Sequence, residues 1–186
     1  VLDALAIAPG EVHVDGTFGA GGYSSAMADA GARVFAFDRD PDAIREGQGV
    51  AAAHGITLIP GEFSCMAQLL AERGVDRVSG VTLDIGVSSM QLDVRERGFA
   101  YAEDAPLDMR MDGTTGPTAA DVLNSYSVGD LTRILRDYGE EKFARKIAGA
   151  VVRRRESEPF TTSAALVELL YAEIPAPARR TGGHPV

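Results

Sequence analysis

A glycine-dense segment followed by a spaced carboxylate could hold a cofactor that carries a nucleoside. Residues 15–24 read DGTFGAGGYS, and Asp38 closes the next apolar stretch. Glycines let the backbone approach a ligand and adopt positive φ, and an acid at the end of a second strand can accept hydrogen bonds from both ribose hydroxyls. Ser24 replaces the third glycine of a dehydrogenase fingerprint, and the Gly-Lys-Ser/Thr of a Walker loop is absent. A plain tight turn is the alternative interpretation.

Further candidates follow the later strands. In open α/β sheets, ligands lie outside the carboxyl ends of the strands, so Asp84 is predicted to point at the site, with a loop cap as the alternative. Phe63 follows the third strand and could stack on adenine or pack in the core. Asp38 could instead cap the helix that begins at Pro41, although Asp40 fits that role better. The sequence therefore predicts one site at the carboxyl edge of a sheet.

Strand and helix signals alternate through the first half of the chain. This alternation predicts an α/β fold with a parallel sheet and right-handed crossovers. Four parallel strands make a thin sheet with an exposed edge, so we expect further chain beyond the C-terminus to complete it. The predicted strands lie near 11–15, 33–37, 56–59 and 78–84, and the predicted helices near 21–31, 41–53 and 63–73.

The second half of the chain is predicted to be a long ordered loop followed by helices. Residues 85–117 lack periodicity, and long loops inside compact domains are usually functional. Their Asp108 and Asp112 could line a substrate pocket or belong to a salt-bridged support. Residues 118–172 show apolar residues at helical spacing, including Leu131 and Tyr138 on one face, and a flexible exit follows. The predicted domains are 1–104 (α/β), 105–178 (an inserted helical domain) and 179–186 (an exit segment).

Composition narrows the possible classes of protein. The chain has 186 residues, a net charge of −9 and one cysteine, Cys65, which is predicted to be buried. A single cysteine excludes an internal disulfide and a multi-cysteine metal site, and we expect no metal. No apolar run approaches the roughly 20 residues of a membrane span. A cytoplasmic protein is the simplest interpretation. The negative charge disfavours non-specific nucleic-acid binding, although Lys142, Arg145 and Lys146 could meet phosphates or form a solvated face.

Several strings, taken together, resemble the bacterial RsmH/MraW methyltransferases, which act on small-subunit ribosomal RNA. The likeness spans nearly the whole chain, and it departs from the family at Tyr23 and Met90, where His and Pro are common. It implies a class I (Rossmann-like) methyltransferase fold with an inserted helical domain for substrate recognition. The family adds further strands after its His-Pro element. The matching strings are DGTFGAGGYS, FDRDPDAI, GEFS, LDIGVSSMQLD, RGFAY, PLDMRMD, YGEEKFARKIA and GGHPV.

The resemblance also implies an activity and a set of contacts. The activity is methylation of N4 of a decoding-region (P site) cytidine in 16S rRNA, with S-adenosylmethionine as cofactor. The implied partner is 16S rRNA within the small ribosomal subunit, without a membrane or metal, and both monomer and homodimer stay open. Asp84 is the first candidate acceptor for the N–H proton, and Asp108 and Asp112 are further candidates. The implied cofactor contacts are Gly21, Gly22, Tyr23, Asp38, Phe63, Asp84 and Gln91.

Two other classes of function stay open from the sequence. One is a methyltransferase of a small molecule or a protein, in which the helical domain would be a substrate lid. The other is a module that binds the cofactor without catalysing a reaction.

Overall fold

The chain packs as two compact units, the first spanning Val1–Ser88 and the second beginning at Ser89. The computed structural model describes residues 1–100 and 103–179. Three features singled out in the sequence lie outside the described residues: Tyr101 of the RGFAY string, the exit segment from residue 180 onward, and the closing GGHPV. The three-part division predicted from the sequence, with a boundary after residue 104, stays a prediction.

The first unit contains a four-stranded parallel sheet. Its strands are β1 (Val12–Asp15), β2 (Arg33–Asp38), β3 (Thr57–Pro60) and β4 (Gly80–Thr82), and they lie in the order β3-β2-β1-β4. This order matches the first four strands of a doubly wound α/β sheet, and the predicted Rossmann-like α/β class is confirmed. The helices are α1 (Leu2–Leu5), α2 (Gly22–Asp29), α3 (Pro41–His54) and α4 (Met66–Ala71), with a 3-10 turn at Phe63–Cys65.

Strand β2 shows why this sheet is covered on both faces. Successive side chains of a strand point to opposite faces, and four consecutive residues of β2 are buried. Val34 and Ala36 pack in one apolar cluster, whereas Phe35 and Phe37 pack in another. A strand that is buried on both faces reads as a continuous apolar run, which is typical of parallel sheets flanked by helices.

The second unit is helical within its described part. Its helices are α5 (Ser89–Asp93), α6 (Ala119–Ser125), α7 (Val128–Asp137), α8 (Ala144–Arg155), α9 (Ser163–Glu173) and α10 (Ala176–Arg179). The core includes Leu131, Ile147, Val151 and Phe160, each at most 2% exposed. Helices α6, α7, α8 and α9 each contribute side chains to this core. No helix in the described residues is long and apolar enough to cross a membrane.

Several local predictions were wrong. The segment predicted as an unbroken loop contains α5 and a 3-10 turn at Arg95–Arg97, and α10 lies in the predicted flexible exit. Elements this short contain too few residues for periodicity to reveal them. Cys65 is exposed at the end of its 3-10 turn. Tyr138 is 76% exposed because it follows the last turn of α7 and leaves the apolar face.

Two glycines of α3 should respond in opposite directions to a methyl group. A Cβ at buried Gly47 would overlap the Phe18 ring, and Phe18 is only 2% exposed. A Cβ at exposed Gly49 would meet nothing within 4 Å. We expect Gly47→Ala to lower the free energy of unfolding by about 1–3 kcal/mol. Gly49→Ala should raise it by up to about 1 kcal/mol through helix propensity.

Urea denaturation of both variants checks this prediction. A Gly47→Ala protein as stable as Gly49→Ala would show that Phe18 does not pack tightly against α3.

Candidate functional site

The loop between β1 and α2 has a conformation that depends on glycine. Gly19 and Gly21 have φ values of 53° and 82°, and Gly21 is the N-cap of α2. A Cβ on Gly21 would also lie 2.8 Å from Cζ of Phe18, which is buried beneath the loop. Gly22 is exposed, and a Cβ there would meet nothing within 4 Å. The outer side of the loop therefore presents bare backbone that a ligand can approach closely.

Asp15 fixes one end of this loop from inside the protein. The carboxylate is 1% exposed and accepts hydrogen bonds from Ser24 Oγ at 2.7 Å and from the Thr17 amide at 3.0 Å. Burial raises the pKa of Asp15, and the hydrogen bonds from Ser24 and Thr17 oppose that rise. This role of Asp15 and Ser24 was not predicted from the sequence. The available signal was the position of Asp15 at the end of a strand buried on both faces.

Asp38 fixes the other end of the loop from the end of β2. One carboxylate oxygen accepts a hydrogen bond from the Gly19 amide at 2.8 Å, and the other accepts from the Asp40 amide at 2.8 Å. Asp40 is the N-cap of α3 and accepts from the Asp42 amide at 3.0 Å, so the predicted choice of cap is confirmed. A carboxylate offers about four lone-pair positions. Two therefore remain on Asp38, which is partly exposed.

Residues after β3 and β4 meet beside the start of the loop. A Cβ on Gly16 would overlap the Leu83 side chain and would lie 3.0 Å from Cβ of Phe63. The Asp84 amide donates a hydrogen bond to Thr17 Oγ1 at 2.7 Å. The sheet thus brings together the ends of β1, β3 and β4, as the topology predicts.

The two predicted side chains in this group are accessible to a ligand. Phe63 is 36% exposed. The carboxylate of Asp84 is exposed, and it makes no hydrogen bond or ion pair among residues 1–100 and 103–179. Tyr23, by contrast, is half-buried against the apolar cluster on the α2 side of the sheet.

The predicted residues of the second unit are mostly engaged in local contacts. Gln91 is 7% exposed within α5. Asp108 pairs with Arg110 and accepts hydrogen bonds from its Nε at 2.9 Å and its Nη2 at 2.7 Å, and this pairing lowers the pKa of Asp108. Asp112 accepts hydrogen bonds from the Thr114 amide and the Thr115 hydroxyl. This geometry favours the supporting-loop alternative for both aspartates, and their catalytic role stays a prediction.

The loop that carries these aspartates is held by its own backbone. Arg97 donates hydrogen bonds from Nη2 to the carbonyls of Arg110 and Met111, at 3.1 and 2.9 Å. Gly98 has a φ of 73°, and a Cβ there would overlap the Pro106 carbonyl. Within the described part of the chain, no group of three or more His, Cys, Asp or Glu residues is placed to hold a metal ion.

Comparison with known proteins identifies close relatives. A family described as the MraW methylase family matches residues 1–186. The "Ribosomal RNA small subunit methyltransferase H" of Nocardioides sp. is 62% identical over 95% of this chain and 56% of its own length. The protein of the same name from Nocardia farcinica is 55% identical over 95% of this chain and 57% of its own length. The chain therefore spans a little over half the length of these relatives.

A solved structure overlaps part of the chain. The C-terminal domain of precorrin-6Y C5,15-methyltransferase from Rhodobacter capsulatus is 24% identical over 48% of each chain, with a TM-score of 0.39.

The buried carboxylate of Asp15 should make stability depend on pH. Its pKa is higher in the folded protein than its ordinary value of 3.8. Its contribution to stability is therefore complete below the ordinary value and is lost as pH rises through the raised pKa. Asp15→Asn removes this ionisation and keeps groups that can bond Ser24 and Thr17. We expect the variant to gain stability relative to the parent as pH rises from below 3.8 to neutrality.

Denaturant titrations at several pH values measure this difference, with exposed Asp76→Asn as the control that should show none of this pH trend. A difference for Asp15→Asn that is flat, or that falls with pH, would contradict the assignment.

Proposed function

Because this chain belongs to the MraW methylase family, we propose that the protein is an S-adenosylmethionine-dependent methyltransferase of small-subunit ribosomal RNA. The proposed reaction is methylation of N4 of a cytidine in the decoding region of 16S rRNA. The observation that carries this proposal is the meeting of a glycine loop and two accessible carboxylates, Asp38 and Asp84, at the carboxyl ends of the strands. The relatives named ribosomal RNA small subunit methyltransferase H support the choice of substrate.

The residues at the strand ends fit the chemical parts of this cofactor. Gly16 lets Phe63 and Leu83 pack against the start of the loop, because a Cβ there would overlap the Leu83 side chain. Asp38 has lone pairs left for the two ribose hydroxyls after it holds the loop. Phe63 is exposed enough to stack on the adenine face.

The remaining proposed contacts follow from the loop and from the family resemblance. Gly21 and Gly22 would contact the cofactor through their backbone, and Tyr23 lies in the first turn of α2. Gln91 is proposed on the family resemblance.

The proposed mechanism depends on alignment and on one accessible carboxylate. The cofactor, when bound, supplies an electrophilic methyl group on a positively charged sulfur. The lone pair of a cytosine amino group is delocalised into the ring, so the enzyme must orient the amine in line with the methyl group. We assign Asp84 to accept the N–H hydrogen bond, because its carboxylate is exposed and has no partner in the described chain. A carboxylate there also stabilises the positive charge that develops on nitrogen.

The target base must leave its stack to reach such a site. The proposal therefore requires contacts to RNA outside the reaction centre, and we assign them to the helical unit. The partner is 16S rRNA within the small subunit.

Loss of charge at Asp38 should weaken cofactor binding. We expect Asp38→Asn to raise the Kd for S-adenosylhomocysteine by about 10- to 100-fold, since charge-assisted hydrogen bonds to the ribose would be lost. Asp40→Asn is the matched control, because it removes a neighbouring charge while asparagine remains a good N-cap. Isothermal titration calorimetry of the full-length proteins measures both constants. Equal Kd values for the parent and Asp38→Asn would show that Asp38 does not bind the cofactor.

Loss of charge at Asp84 should slow the chemical step. We expect Asp84→Asn to lower kcat about 10²- to 10³-fold at saturating cofactor, with exposed Asp76→Asn unchanged. The assay is transfer of labelled methyl from S-adenosylmethionine to undermethylated 30S subunits by the full-length protein, with the product nucleoside identified.

Four outcomes would contradict parts of this proposal. Label on an atom other than N4 of cytosine would overturn the proposed target. Transfer to a small molecule or a protein, or cofactor binding without any transfer, would favour the corresponding alternative class. An unchanged kcat in Asp84→Asn would overturn the assigned proton acceptor alone.

A further inference from the structure

The outer face of α7 carries a row of residues that its core does not use. Leu131 and Leu135 of this helix pack inward. Thr132, Arg133 and Arg136 lie at the spacing that places side chains on one side of a helix, together with Gly129 one turn earlier. The inner face of α7 thus stabilises the unit, and the outer face is available for another role.

This row faces the beginning of α8 across an open cleft of about 850 Å³. Lys142 and Arg145 line the cleft from the α8 side. Helix α8 begins at Ala144, and its N-cap residue, Phe143, supplies no side-chain cap. The positive end of a 12-residue helix dipole therefore adds to the two cations on this side.

The cleft is cationic although the chain is strongly acidic. Arg133, Arg136, Lys142 and Arg145 line it against two carboxylates, Glu140 and Glu141. One of those carboxylates, Glu141, accepts a hydrogen bond from the backbone amide of Phe143 at 2.6 Å.

The four cations differ in their existing partners. Arg136 pairs with Asp137, which lies next to the cleft, and Arg133 lies 3.5 Å from the Tyr138 hydroxyl. Lys142 and Arg145 are exposed and make no ion pair or side-chain hydrogen bond in the described part of the chain. In a chain of net charge −9, two such cations at a helix N-terminus favour an anionic ligand.

An exposed aromatic ring lies beside Arg133, one of the residues that line the cleft. Tyr138 is 76% exposed, and its hydroxyl lies 3.5 Å from an Arg133 nitrogen. The exposed ring offers a flat face on which a base could stack. Cations that follow a backbone, together with an aromatic ring on which a base can stack, are the features by which proteins bind unpaired nucleic acid.

From the cleft and the ring together, we propose that the α7–α8 cleft binds the backbone of unpaired RNA, with Lys142 and Arg145 on phosphates and Tyr138 stacked on a base. The proposal deepens the proposed function and depends on it for the identity of the RNA. In this proposal the helical unit binds a single RNA strand while the target base is turned out of its stack.

Salt dependence of RNA binding tests the phosphate contacts. The probe is a fluorescein-labelled single-stranded RNA of about 12 nucleotides, bound to the full-length protein and followed by fluorescence anisotropy. Each phosphate contact on a single strand contributes about 0.7 to the slope of log Kd against log salt concentration. We expect the double variant Lys142→Gln, Arg145→Gln to reduce this slope by about 1.4.

The control for the phosphate test is the double variant Arg45→Gln, Arg77→Gln, which changes the charge equally at exposed positions of the first unit. It should leave the slope unchanged. Equal slopes for the two double variants would overturn the phosphate contacts.

Stacking is tested at Tyr138 in the same assay. Tyr138→Leu should weaken binding by roughly tenfold or more, whereas Tyr138→Phe should stay within about twofold of the parent because the ring is kept. An RNA duplex of the same length should bind with no difference between the parent and Tyr138→Leu. If Tyr138→Leu binds single-stranded RNA as the parent does, or if the duplex shows the same loss, the stacking role is wrong.

The outcomes separate this inference from the proposed function. Suppose that the parent protein methylates 30S subunits and that the cleft variants bind RNA and methylate equally well. This result would contradict the RNA-binding role of the cleft but not the proposed function. A parent protein that transfers no methyl group to 30S subunits would overturn the proposed function, while the salt slopes would still decide whether the cleft binds RNA.

Discussion

Two carboxylates at the ends of adjacent strands hold the glycine loop, and the first unit's site depends on them. Asp15 bonds Ser24 and Thr17 from the buried side, and Asp38 bonds the Gly19 amide from the open side. Backbone that lacks side chains is intrinsically loose, because glycine has more conformational freedom to lose than any other residue. Together with the backbone hydrogen bonds of Gly16, Phe18 and Gly21, these bonds fix the shape that the loop presents to a ligand.

Burial of the Asp15 carboxylate is the energetically unfavourable part of this arrangement. Its carboxyl is desolvated, which raises its pKa and makes its ionised form unfavourable inside the fold. Asp38 differs because it is partly exposed and keeps lone pairs on the solvent side. Asp15 therefore binds the loop alone, whereas Asp38 can bind the loop and a ligand at the same time. Environment separates the roles of two residues that are chemically the same.

The sequence predicted the parts of this structure that follow from periodicity and from glycine. The apolar run at residues 34–37 predicted the strand β2, and the Asp-Pro pair at residues 40–41 predicted the start of α3. The candidate residues Asp38, Phe63 and Asp84 could be placed because topology alone sends strand ends to one edge.

Other features depend on three-dimensional contacts that a sequence does not display. The Asp108–Arg110 pair engages a carboxylate that looked available for chemistry. Tyr138 matched the apolar spacing of α7 and yet lies exposed, because the helix ends just before it. The cleft beside it is lined by residues of both α7 and the start of α8, and the spacing of residues within either helix does not predict that these residues lie close together.

A crystal structure of the full-length protein with S-adenosylhomocysteine would show whether the loop held by Asp15 and Asp38 is a nucleoside site. We expect both ribose hydroxyls within hydrogen-bond distance of the Asp38 carboxylate, with the bond from the Gly19 amide still in place. A ligand bound elsewhere, or an Asp38 that contacts only the loop, would contradict it.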